Sequence, residues 1–236
     1  MKLTKFLPIF TLGIGIPCLA LRFWLFASGV DDRGLVSNTH PAGIISFVLI
    51  AVFLVLLFLA TYPVKKTPEY DVLFPASQIS FAGSCLAAAG VLFTAITEIP
   101  GSKGVIGLGT CIFGLLCAAM LAVAGWFRLK GNRPTYYLHA LVTGYFMFHI
   151  LSQYQMWNIE PQLHDYFPQL LASVFLMVTA YQRTALDAGS GKLGRCLFFQ
   201  YGALFFSILS MKGDAPIFYL SMAIWAGTTV PRHRGH

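Results

Sequence analysis

Long apolar runs broken by short polar clusters dominate the pattern of this chain. A helix needs about twenty consecutive apolar residues to cross a bilayer. Eight such runs are present, at roughly residues 6–28, 42–62, 75–97, 104–127, 135–156, 162–182, 194–211 and 215–230. Turn chemistry fills the breaks, as in Asp31-Asp32-Arg33-Gly34, Tyr62-Pro63, Pro100-Gly101, Gly131-Asn132-Arg133-Pro134 and Lys212-Gly213-Asp214. The pattern predicts an all-α membrane protein: one domain over residues 1–236, built as a bundle of about eight transmembrane helices. The last run is short and is expected to be less tilted or only partly inserted. No segment between the runs is long enough for a soluble domain.

Periodicity within the runs predicts which faces meet. The run at 42–62 is aliphatic all round, so its helix is expected to be the most lipid-exposed. In the run at 75–97, Ser77, Ser80, Ser84, Ala87, Val91, Thr94 and Glu98 share roughly one third of the helix circumference. The run at 104–127 places Thr110, Gly114, Ala118 and Ala122 at four-residue spacing. Small ridges of this kind let helices approach closely where lipid supplies no hydrophobic drive. These two runs are therefore expected to form a tight hairpin. In the first run Thr11, Gly15, Cys18, Arg22 and Gly29 lie on one face, which turns Arg22 toward protein. Snorkelling of Arg22 to the nearby interface is the competing reading.

Composition confirms the solvent. The chain is 57% hydrophobic and 11% charged, with a mean hydropathy of +0.70. Soluble domains carry about 25% charged residues. The net charge of +7 does not indicate nucleic acid, because the basic residues cluster at the ends of the runs. With the N-terminus in the cytoplasm, inner segments hold Lys2, Lys5, Lys65, Lys66, Arg128, Lys130, Arg133, Arg183, Lys192, Arg195, Arg232 and Arg234. Outer segments hold Arg33, Lys103 and Lys212. This asymmetry predicts a multi-pass protein of the cell membrane with both termini cytoplasmic. The first run is longer than the h-region of a signal peptide and is interrupted by Arg22, which argues against cleavage.

The same topology gathers polar groups in the outer half of the bundle: Arg22, Glu98, His149, Gln153, His164, Asp165 and Gln169. A cation at membrane depth is costly and marks a candidate site. The planar fork of Arg22 suits a carboxylate or phosphate. His149 could exchange a proton near neutral pH, with Gln153 one turn away to orient it. Glu98 and Asp165 are candidate proton carriers or cation ligands.

The leading expectation is binding or transport of a small polar or anionic solute through an outer cavity. One alternative is an intramembrane lipid-modifying enzyme, with His149 and Glu98 or Asp165 as acid and base. The other is a structural or regulatory subunit whose polar groups hold helices together beside a membrane protein partner. No catalytic residue, metal or cofactor is assigned. The five cysteines lack the paired spacing of metal or redox motifs. His139 and His149 are ten residues apart, about 15 Å along a helix, too far to share an ion. No phosphate-binding glycine loop of the Walker type is present. The two halves of the chain show no duplication, which weighs against a transporter built from repeats.

Overall fold

The computed structural model describes residues 6–30, 36, 40–64, 69–99, 104–157 and 163–231; of residues 156, 157 and 163–165 it describes the backbone alone. Regular structure in the described residues is helical: α1 Leu7–Ser28, α2 Pro41–Thr61, α3 Tyr70–Leu73, α4 Gln78–Glu98, α5 Gly104–Leu129, α6 Tyr136–Trp157, α7 Leu163–Asp187, α8 Leu193–Leu209 and α9 Pro216–Thr228. A short 3-10 turn, Ser210–Lys212, extends α8. Each of the eight apolar runs holds one helix, α3 lying between two of them. The four-residue α3 is an addition that no periodicity announced.

Five segments are long and apolar enough to cross a membrane: Leu7–Ser28, Pro41–Thr61, Gln78–Glu98, Val105–Leu129 and Leu193–Lys212. Length and composition thus carry five of the eight expected spans. Helices α6 and α7 are long but more polar, and α9 has only 13 residues.

Six helices close a ring in chain order, α4 to α9, with α9 packing back on α4. The α1–α2 hairpin attaches to this ring through α8. Helix α8 consequently touches α1, α2, α7 and α9, and residues 200–210 are all buried. In the most apolar stretch of α8, 78% of residues are buried; in α1 and α2 only 22% are. The hairpin therefore leaves most of its surface uncovered by the other described residues, in keeping with the all-round aliphatic character of α2. Stacked rings join it to the ring of helices, with Phe53 4.0 Å from Phe205 and 5.7 Å from Phe10 between centroids.

The expected α4–α5 hairpin is present and is the most extensive helix pair of the fold. Gly125 sits against Ser84, and Gly114 against Ala95. The small face of α4 also serves a second partner. Gly83 lies so close to Thr228 of α9, and Gly90 to Ser221, that a β-carbon at either glycine would overlap the facing side chain. Two hydroxyls of this face are satisfied within the helix, Ser84 donating to the Ser80 carbonyl and Thr94 to that of Gly90, each at 2.9 Å.

Candidate functional site

Arg22 sits on the buried face of α1 with Thr11, Gly15 and Cys18, as its register implied. Only 7% of it is exposed. A cavity of about 430 Å³ opens beside it, between α1, α2, α7 and the end of α8. Its lining includes Cys18, Arg22, Leu25, Phe26, Ser46, Ile50, Phe167, Pro168 and Leu209. The Phe26 ring lies 5.5 Å from the Arg22 guanidinium and 5.6 Å from the Lys212 ammonium. One cation, Arg22, thus lines a cavity whose walls are otherwise mostly apolar, and a second, Lys212, stands near its Phe26 wall. Local chemistry fixes the wall on the α2 side. His40 caps α2 by accepting from the Ala42 amide, and its other ring nitrogen is 3.3 Å from the Ser28 hydroxyl at the end of α1.

The other expected site residues are distributed around the bundle. Gln169 is buried next to the cavity-lining Pro168; its carbonyl accepts from the Tyr219 hydroxyl at 3.5 Å, and its amide packs against Gly213. His149 is buried among aromatic rings, 4.9 Å from Phe218 and 5.8 Å from Tyr145 between centroids, and lines neither described cavity. Glu98 and Gln153 are half-buried and likewise line neither. The side chains of His164 and Asp165 lie outside the described residues. Arg22 and the α7 wall near Gln169 are brought together; of the two described cavities, Arg22 lines one, and His149 and Gln153 line neither.

The densest polar cluster lies at the opposite end of the bundle. There the Nδ1 of His139, near the start of α6, is 2.5 Å from Oδ2 of Asp187 at the end of α7. The Arg128 guanidinium, at the end of α5, approaches Oδ1 of Asp187 at 3.9 Å. It also lies 3.6 Å from the Phe74 ring centroid and 5.5 Å from that of Tyr70. One turn before Asp187, Arg183 donates to the Thr229 carbonyl at 2.7 Å and to the Thr229 hydroxyl. Its guanidinium sits 4.6 Å from the Trp225 ring. Arg128, His139, Arg183 and Asp187 are all buried.

Backbone geometry assembles this cluster. Gly131 and Gly189, with φ of +71° and +83°, close α5 and α7 in tight left-handed caps. The amides of Asn132 and Ser190 bond back to the carbonyls of Phe127 and Ala185 at 2.9 Å. Both helices therefore stop at the level of the cluster, and α3 folds across it with Tyr70 and Phe74. Burial pushes the Tyr70 phenol well above its usual range, with Arg128 pulling it down and Asp187 pushing it up. A second cavity, of about 290 Å³, adjoins Arg128 and is lined also by Phe74, Ser77, Ser80, Thr228 and Thr229.

Sequence reasoning used Arg128 and Arg183 only as topology markers and gave Asp187 no role. The available signal was the four-residue spacing of Arg183 and Asp187, which puts opposite charges on one helix face. Among the described residues, no group of three or more His, Cys, Asp or Glu side chains could hold a metal ion.

Comparison of the chain with protein-family models, with curated proteins and with solved structures finds no significant match. Its class rests on the fold itself: an all-helical chain with five apolar helices compatible with a multi-pass membrane protein.

Proposed function

We propose that the chain is a multi-pass membrane protein that binds an anionic amphiphile beside Arg22. In this reading all eight long helices cross the cell membrane, both termini are cytoplasmic, and the Arg22 cavity opens in the outer half. The carrying observation is a buried guanidinium at one end of a 430 Å³ cavity whose walls are mostly apolar. Arg22 and Lys212 would take the anionic group, and Leu25, Ile50 and Leu209 would take the apolar chain. A small, fully hydrophilic solute fits these walls less well than a lipid or fatty acid does. His149 lines neither cavity, so the lipid-modifying alternative gains no geometric support from it.

The test is thermal unfolding of the purified protein in neutral detergent, with phosphatidylglycerol against phosphatidylcholine. A ligand present at 100 times its Kd stabilises the native state by about 2.7 kcal/mol. Phosphatidylglycerol is expected to raise Tm well beyond phosphatidylcholine, and Arg22→Leu to remove the difference while Arg22→Lys retains part of it. Equal shifts from the two lipids, or an undiminished difference in Arg22→Leu, would overturn the reading.

A further inference from the structure

The cavity at the α3 end is a separate feature, and its surroundings carry an excess of positive charge. Two buried arginines, Arg128 and Arg183, face one buried carboxylate, Asp187. His139 occupies Oδ2 of that carboxylate. Arg183 spends its Nη2 donors on Thr229. Arg128 is 5% exposed, and its Nη2 lacks a hydrogen-bond partner among the described residues, as do the Asp187 Oδ1 that it faces and the Nε of Arg183. The nearest carboxylate oxygen, at 3.9 Å, is beyond hydrogen-bond reach. A buried, unsatisfied charged donor is expensive, and a site of this kind selects an acceptor.

The facing wall supplies complementary donors. Ser77 and Ser80 stand at the N-terminus of the 21-residue helix α4 and line the same cavity as Arg128. The Ser77 oxygen accepts from the Ser80 amide at 3.3 Å, leaving its hydroxyl proton for another partner. The Ser80 hydroxyl donates to no described residue. Helix N-termini carry a partial positive charge and favour anions. Thr228 and Thr229 contribute shape alone, since their hydroxyls donate to the carbonyls of Ile224 and Trp225. A guanidinium, two serine hydroxyls and a helix N-terminus thus converge on one 290 Å³ space.

We propose that this cavity is a second anion-binding site, in which Arg128, Ser77 and Ser80 hold a phosphate group. Its phosphate comes from a free anion or from the headgroup of a phospholipid in the leaflet at that end. The site is independent of Arg22, which lies at the other end of the bundle.

The experiment is thermal unfolding of the full chain in neutral detergent, titrated with inorganic phosphate, with chloride at matched ionic strength, and separately with phosphatidic acid. Wild type and Arg22→Leu are expected to respond alike to at least one phosphate probe and not to chloride. The Ser77→Ala/Ser80→Ala double variant, which leaves the ionic cluster intact, is expected to bind roughly tenfold more weakly, the scale of a lost hydrogen bond to a charged group. A response to inorganic phosphate identifies a free anion, and a response to phosphatidic acid alone that persists in Arg22→Leu identifies a headgroup. No stabilisation by either probe, or an unchanged apparent affinity in the double variant, would overturn the proposal. Loss of the response in Arg22→Leu would assign it to the other cavity and would overturn it equally.

Discussion

The two ends of the bundle handle buried charge in opposite ways. At one end Arg22 borders a mostly apolar cavity walled by the sparsely covered α1–α2 hairpin. At the other, Arg128, His139, Arg183 and Asp187 are drawn together from three helices and covered by α3. In the sequence Arg22 is conspicuous because it interrupts an apolar run, whereas Arg128, Arg183 and Asp187 look like ordinary ends of helices. The fold buries both sets. Position along a helix therefore says less about the burial of a charge than what the following segment folds over it.

The strongest way to break this contrast is to remove Asp187, the one buried carboxylate among the described residues. Asp187→Leu leaves two buried arginines uncompensated, and disrupting a buried pair in this way costs about 3–5 kcal/mol. Loss of most of the folded fraction on heating or in denaturant is expected. Arg22→Lys, without ligand, should be far milder, because it keeps the cation beside the cavity. A comparable loss in both variants would show that the two ends are held alike.

The next test concerns the scaffold between the ends. Gly90→Val drives a branched side chain into Ser221 of α9, and overpacking of this kind costs about 1–3 kcal/mol. Unfolding should show the decrease, and repair by Ser221→Gly would confirm the contact. The smallest effect is expected at Gly144, where an added β-carbon meets nothing within 4 Å. Gly144→Ala should leave Tm unchanged or slightly raised, given the helix preference of Ala over Gly of up to about 1 kcal/mol.

Much of the fold was legible because membrane helices announce themselves by length and apolarity. The α4–α5 hairpin was legible because Gly114 and its four-residue neighbours form a ridge. The second partner of α4 was hidden: Gly83 and Gly90 meet α9, whose residues lie more than a hundred positions further along the chain. The α3 helix is too short for any periodicity. For the candidate site, the buried face of Arg22 followed from register, and its cavity did not. Depth can be counted along a helix, but direction around the bundle depends on packing. Arg22 belongs to a hairpin seated on α8, while His149 sits on α6 between α5 and α7. Two residues at similar depth thus ended in different surroundings.

The seat of the α1–α2 hairpin on α8 has a consequence for biosynthesis. Helix α2 ends at Thr61 and α8 begins at Leu193, so the ribosome adds 132 residues (193 − 61) before the seat exists. At 5–20 residues per second that is a wait on the order of ten seconds. Throughout it the finished hairpin lacks its seat, a wait in a bilayer that the unbroken aliphatic surface of α2 is chemically suited to endure.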